Sequence, residues 1–365
     1  MKRVGFVINS RFPEAASFGR GMRPHHLLIG WDDSGSPMSF MRFHWIAQEV
    51  NKSGAVRYEL FKPWRRYDAV VFLKSMGEQC LRAARRLREA GTKIIFEANV
   101  DYYTQASQEN LPHQLIPTES QRQDAIAMTS FADAVITSSS RLAEITREFA
   151  SSVHWVPDNI KSDLIPAGEP GPCVRDKKLQ LWWSGMASKL YDFFLIEKAL
   201  RLAPVHLNLV TSGVATAIQG WSADRRRDFE HLLSDVSHTF HEYSGIPSLL
   251  RSYHSHGGII VSPRYLDSPY NQSHTEWKLT LGLACGLSGM GSPLQSYLDA
   301  ASIGSTGLRI CHDIEGWTEV FDAALLDPEG SRRRGWEGAT AIKQRYGSPS
   351  IAKEHGRVLE SVLCS

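Results

Sequence analysis

Short, unbroken apolar runs alternate with amphipathic stretches along the whole chain. In the first half Val4–Ile8, Tyr67–Leu73, Lys93–Phe96, Phe131–Ser138 and Val153–Val156 read as strands. Continuous apolar runs of that length, bounded by polar residues, suit strands buried on both faces. Between them Phe40–Val50, Glu78–Ala90 and Ser140–Phe149 carry helical spacing, and Gly91 stands where a helix C-cap belongs. The pattern restarts with strands at Leu179–Ser184, Val205–Val210, Ile259–Ser262 and Gly307–Cys311. Helices are predicted at Tyr191–Leu202, Asp224–Ser234, from Lys278 to Gly286, and on to the end of the chain. Such alternation predicts an α/β fold built on parallel sheets with helices on both faces.

Composition breaks once, at Ile165-Pro-Ala-Gly-Glu-Pro-Gly-Pro172, dense in Pro and Gly and the best linker candidate. With 365 residues the chain has enough material for two cores. We expect one α/β domain over 1–165, a second over 173–345, and a terminal helix over 346–365 that crosses back to the first. Open parallel sheets bind ligands beyond the carboxyl ends of their strands, so the expected site is a cleft between two such domains. The loops after Ile8, Phe96, Ser184 and Ser262 are the ones to inspect.

Charge narrows the partners. The net value of +2 supplies no strong field towards nucleic acid or anionic lipid. Two local clusters, Arg225-Arg226-Arg227 and Arg332-Arg333-Arg334, sit among helix formers and read as solvated helix faces, with a nucleic-acid or phosphoglycan footprint as the minority reading. Five scattered cysteines without a C-x-x-C pair fit reduced thiols in a cytoplasmic protein, with Cys80 and Cys285 in core positions. The N-terminus is too short and strand-like for a signal peptide, and no apolar run approaches the ~20 residues of a bilayer span. Peripheral attachment at the inner membrane face stays compatible with this reading.

Candidate chemistry collects at strand ends. Gly185-Met-Ala-Ser188-Lys189 follows one strand; glycine lets a ligand approach the backbone, and Ser188 with Lys189 could neutralise a diphosphate or simply open a helix. Arg264 follows another strand, and Lys278 lies in the first turn of the next helix, where the dipole disfavours a cation unless an anion is near. His274 and Thr275 could add donors there; Thr275 is equally a plain N-cap. In the first half Glu97-Ala-Asn99-Val-Asp101-Tyr102 follows a strand. Asp101 could take a proton from a hydroxyl, hold a sugar hydroxyl or cap a loop, with Asn99 and Tyr102 beside it. Ser39 would cap the helix that Arg42 opens, and Arg42 reads as an anion site or a surface arginine. Fourteen histidines show no metal-ligand spacing, so no metal is expected. P-loop, G-x-S-x-G and G-x-G-x-x-G motifs do not occur after any strand, which counts against NTPase, hydrolase and dinucleotide chemistry. Ten tryptophans include Trp182-Trp183, expected to be core on one side, and Trp31, Trp64 and Trp221 in loop-like contexts that suit sugar stacking.

Ala132–Ser140 (ADAVITSSS), Val153–Asn159 (VHWVPDN), Ser184-Gly185 with Lys189, Lys278–Gly286 (KLTLGLACG), Leu298–Leu308, and Glu315–Phe321 with Arg332–Tyr346 together resemble glycosyltransferases of the GT-B fold, in particular the GT4-like, group 1 set. The resemblance covers most of the chain, including Ser39-x-x-Arg42, which is similar to an S-x-R start seen in some members. It implies two Rossmann-like domains facing a central cleft and metal-independent, retaining transfer of a sugar from a nucleotide sugar. The acceptor would be a glycan, a lipid-linked chain or a small molecule, and the role one in carbohydrate biosynthesis. By the same resemblance Gly185, Ser188, Lys189, Arg264, His274, Thr275 and Lys278 would bind donor, Ser39, Arg42, Asn99 and Tyr102 acceptor, and Asp101 and Lys278 would be catalytic; no cofactor beyond the nucleotide sugar is required. The family's paired glutamates, spaced E-x7-E, fall at Ser273 and Leu281, and its glycine-rich first loop is represented only by Gly19 and Gly21 within Arg11–Arg23. These departures keep open a non-catalytic binding protein on the same fold, and the two arginine clusters keep open a transferase acting on modified DNA bases.

Overall fold

The computed structural model describes residues 1–8, 37–104 and 116–364. The chain forms two compact units. The first takes the residues up to 104, Pro117–Asn159 and the chain from Ser348; the second takes Ile116 and Ile160–Gly347. The change of unit therefore falls before the Pro/Gly-rich stretch, which is docked on the second unit: Gly171 N–H donates to the His254 carbonyl at 2.9 Å. Arg332 pairs there with Glu169.

The first unit is a six-stranded sheet in the order β2-β1-β3-β4-β5-β6, with β1 at Lys2–Ile8, β2 at Val56–Leu60, β3 at Ala69–Leu73, β4 at Lys93–Ala98, β5 at Ala134–Thr137 and β6 at Val153–Trp155. Every pairing is parallel. The strand read over Phe131–Ser138 begins three residues later, because Glu119–Phe131 is a helix. Thr118 and Gln121 close a capping box at its start. The chain's last helix, Ser348–Leu363, buries Ile351, Val358, Leu359 and Val362 against Val4, Phe6 and Val71 of this sheet.

Ser39 and Arg42 occupy this core. Ser39 has helical backbone angles and makes no capping bond, so it is no N-cap. Arg42, on a π-helical turn over Phe40–His44, is fully buried. Its Nε donates to Glu97 and its Nη1 to the Val156 and Pro157 carbonyls at 2.8 and 2.9 Å, with Asp158 at 3.3 Å. A buried guanidinium demands such partners. The arginine read as an anion site or a surface group is thus a core cation balanced by two carboxylates. On the far side of Glu97, His355 of the last helix stands at 3.6 Å, and its Nδ1 is 3.2 Å from the Tyr58 hydroxyl. Burial pushes the Glu97 carboxyl up; Arg42 and His355 more than offset it and leave it below the usual range.

The second unit is a sheet in the order β10-β9-β8-β11-β12-β13, all parallel, with the two-residue β7 (Val174–Arg175) antiparallel against β8. Its strands are β8 at Lys178–Ser184, β9 at Val205–Thr211, β10 at Ser237–Glu242, β11 at Ile259–Ser262, β12 at Ser288–Gly291 and β13 at Leu308–Ile310. In sequence terms the order is third, second, first, fourth, fifth, sixth, the dinucleotide-fold order whose direction reverses between its first and fourth strands. That reversal lies between β8 and β11. Trp182 and Trp183 are both buried, one under each face of β8, rather than on one side only. Trp221 is core as well, edge-on to Phe229 at 5.4 Å, and not a sugar platform. Trp64 is exposed, and Trp31 lies outside the described residues.

Candidate functional site

β8 ends at Ser184, and after Gly185 and Met186 a 3-10 helix, Ala187–Ile196, carries Ser188, Lys189, Tyr191 and Asp192 inward. β11 ends at Ser262 and delivers Arg264, whose N–H is fixed on the Ser292 hydroxyl at 2.8 Å. A short helix, Pro269–Gln272, then brings Tyr270, and His274 leads into the helix Trp277–Ala284, with Lys278 in its first turn. The residues expected at the donor side therefore meet at the reversal point of this sheet, within one unit.

The geometry centres on Asp192, which is completely buried. Its Oδ2 accepts from Arg264 Nη1 at 2.6 Å, and it feels the charges of Lys189 and Lys278 as well. Burial pushes the Asp192 carboxyl up, countered by Arg264, Lys189 and Lys278 in that order. Arg264 remains a cation, yet its Nε and Nη2 meet no acceptor. Unpaired guanidinium donors in a buried position are suited to an anion. Lys278 points its ammonium at the Trp183 ring, 5.1 Å from the centroid. Burial and then Arg264 hold it well below the usual lysine range, against the pull of Asp192. Lys189 is nearly inaccessible; its Nζ stands 2.9 Å from His274 Nε2, 3.4 Å from the Tyr270 hydroxyl and 4.6 Å from that ring's centroid. Three basic side chains thus surround one carboxylate.

Gly185 makes the arrangement possible: a β-carbon there would run into Lys278 Nζ and stand 2.8 Å from the Trp183 ring. Ser188 is buried beside Lys189. Thr275 does not cap the following helix; Glu276 holds the N-cap position without a side-chain bond. Ser273 and Leu281, at the family's glutamate positions, are both buried, and the Ser273 hydroxyl is used on the Pro269 carbonyl at 3.0 Å. Sequence reasoning missed Asp192 as the counter-charge. Its signal was the K-x-x-D spacing after Lys189, which places both side chains on one face of a short helix. Tyr270 and Trp183 were missed as site residues too, since an aromatic beside a cation has no spacing of its own.

In the first unit Asp101 is buried, with Oδ1 accepting the N–H groups of Tyr103 and Thr104 at 2.9 and 3.0 Å, while Oδ2 meets no donor. The Asn99 amide also lacks partners, and Tyr102 is buried nearby in sequence. Gly19 and Gly21 lie outside the described residues. The arginine clusters lie on helices and pair with helix neighbours, Arg227 with Asp224 and Arg332 with Glu329. Among the described residues no group of three His, Cys, Asp or Glu side chains could hold a metal, and no helix is long and apolar enough to cross a membrane.

No family model matches the chain, and no curated protein matches it in sequence. Solved structures do. HepE from Anabaena, determined in complex with UDP, superposes with a TM-score of 0.62 at 11% identity over 99% of this chain and all of that one. Sucrose-phosphate synthase from Thermosynechococcus elongatus gives 0.58 at 16% identity over 82% of this chain and 74% of its own. TarM gives 0.57 at 10% identity over 80% of this chain and 54% of its own. The neighbours are GT-B glycosyltransferases, and the likeness establishes the fold: two α/β units, each on a parallel sheet.

Proposed function

We propose that the chain is a glycosyltransferase that moves a sugar from a nucleoside diphosphate sugar to an acceptor hydroxyl. The observation that carries this reading is the gathering of Lys189, Arg264 and Lys278 around Asp192 at the reversal point of the second sheet. A donor diphosphate brings two negative charges. When the glycosidic C–O bond breaks, its electron pair stays on the β-phosphate oxygen and adds a third. Fixed cations matched to that growing charge lower the barrier without a metal. Arg264 offers two free donors in a fork suited to phosphate oxygens, and the lysines act as point charges. Neighbours crystallised with UDP and UDP-glucose support a uridine nucleotide as the first donor to try.

Asp101 suits the acceptor side. Its buried, unpartnered Oδ2 can hold the attacking hydroxyl and take up its proton, with the Asn99 amide steadying the acceptor. Transfer is proposed to retain anomeric configuration and to proceed in chelator, on a glycan, lipid-linked or small-molecule acceptor met in the cytoplasm or at the inner membrane face. A panel of nucleotide sugars screened by thermal shift and then by donor hydrolysis tests the reading. One of them should raise the melting temperature and be hydrolysed slowly without acceptor, with EDTA making no difference.

A second reading is favoured by one observation: buried Leu281 and the internally bonded Ser273 stand where related transferases carry acids. On that reading the fold binds a nucleotide sugar without turning it over. Saturable binding with no hydrolysis and no transfer to any acceptor would select it.

A further inference from the structure

An open sheet ends on strands whose outward N–H and C=O groups can pair with another chain. The two sheets of this protein end on β2 and β6, and on β10 and β13. At β2 the Asn51 side chain stands in for a neighbouring strand. Its amide donates to the Tyr58 carbonyl at 3.0 Å, and its Oδ1 accepts the Tyr58 N–H at 2.7 Å. β6 and β13 have three residues each, and the middle residue of β13 is the exposed Arg309. Short length, charge and a covering side chain all guard an edge against pairing.

β10 is built differently. It runs for six residues, Ser237-His-Thr-Phe-His-Glu242, with no Pro, Gly or Lys among them. Among the described residues it pairs with β9 alone, in parallel, so its alternate N–H and C=O groups face away from the sheet. Thr239, Phe240 and Glu242 are exposed. Phe240 is an aromatic 39% open on this edge, held edge-on to the His238 ring at 5.6 Å. The order of side chains is complementary to itself. Side chains alternate between faces, so His238, Phe240 and Glu242 share one. Antiparallel pairing with a second copy, about a two-fold axis at Phe240, sets Phe240 against Phe240 of the partner subunit. It sets His238 against Glu242 of the partner subunit, and Glu242 against His238 of the partner subunit. An aromatic pair then lies between two imidazole–carboxylate pairs, the kinds of cross-strand pair that stabilise a sheet. Slipping the register by one or two residues moves Glu242 opposite Val236, Ser237, Thr239 or Phe240 and loses both pairs.

We propose that β10 is a self-association edge, where two copies of this chain join strand to strand, antiparallel, about a two-fold axis at Phe240. The second sheets of the two copies then run on as one. The occupant is a second copy rather than an unrelated extended segment because the edge matches itself in charge and in its aromatic centre, as an isologous interface requires. The cation cluster lies between β8 and β11, with β9 separating it from β10. Association therefore stands or falls independently of the transferase reading.

Sedimentation of the full chain at about pH 6, where histidine side chains in general take up charge, tests this. A dimer should form in a concentration-dependent way between about 1 and about 100 μM. Phe240→Lys sets two ammonium groups face to face at the axis and should weaken the dimer by about 10²-fold or more. Glu242→Lys should weaken it by about tenfold, and adding His238→Glu should restore it, because the pair is then reversed. Phe240→Cys should give a covalent dimer under oxidised glutathione, since residues paired across such an axis stand within disulfide reach. Leu202→Cys, on an exposed helix end, should give none; both are made with Cys364→Ser, because Cys364 is exposed. A monomer over the whole range overturns the proposal, whatever added peptides the edge binds. A dimer indifferent to Phe240→Lys and not cross-linked at position 240 overturns it too, and places association on another surface. A double variant no tighter than Glu242→Lys overturns the register. If Phe240→Lys does not fold, the cross-linking pair decides.

Discussion

Lys278 shows how a single residue is specified from two directions. Its place in the first turn of a helix, against the dipole, was legible in the chain. Its approach to Trp183 and Gly185 was not, because those lie at the end of a strand and just beyond it, nearly a hundred residues earlier, and only the fold aligns them. Replacing it with Ala should lower donor hydrolysis and transfer by about 10² or more, the scale of losing one charge stabiliser, with the melting temperature little changed; near-normal turnover removes Lys278 from the mechanism. Gly185→Ala should do two things. The new methyl group displaces the ammonium, cutting anion affinity, and presses on a buried indole at a cost of about 1–3 kcal/mol. Calorimetry and denaturant melts read the two effects separately, and an unaffected anion affinity would show that Lys278 does not need that gap. Arg42 teaches the reverse lesson. From the sequence it could face solvent or an anion; burial gave it Glu97 and Asp158, carboxylates whose nearness no local spacing announces.

At the scale of elements, strands were the most readable feature. Ile259–Ser262 has the bounds its apolar run predicts, and Leu179–Ser184 differs by one residue. β12, Ser288–Gly291, escaped notice because Ser, Gly and Met make no apolar run. It is a strand because β11 and β13 flank it on both sides and Leu279 and Tyr297 leave room only for glycine at Gly291. The last helix is tied to its sheet by apolar packing and by the Glu97–His355–Tyr58 contacts. Glu97→Gln tests the polar part. Removing one charge of a buried pair costs about 3 kcal/mol or more, and the effect has a sign in pH. The Glu97 carboxyl is lowered in the fold, so its stabilisation is complete above the ordinary carboxylate range and is lost as pH falls through its lowered value. The wild-type advantage over Glu97→Gln should be full at neutral pH and shrink below about pH 4. A difference in melting temperature that stays constant down to about pH 3 would contradict the assignment.

At the scale of the molecule, the chain leaves its first unit, builds the second, and returns for its last helix. Ending the chain at Gly347 therefore strips the first unit, not the second that precedes the cut. Ile351, Val358, Leu359 and Val362 each bury a side chain worth about 1.5–3 kcal/mol, a sum comparable to a typical domain's whole stability. The truncated chain should lose the cooperative transition of the first unit while keeping ligand-dependent melting of the second. Retention of both transitions would mean that the helix is dispensable.

The sequence by itself determined the α/β class and the strand-end positions of Gly185, Lys189, Arg264 and Lys278, since apolar periodicity and chain order are local properties. Only the tertiary structure decided which of those side chains share a charge. Asp192 became the centre of the cation cluster, and Glu97 and Asp158 claimed Arg42, because burial removes water and forces each ionised group onto whatever partner the packed strands bring within reach.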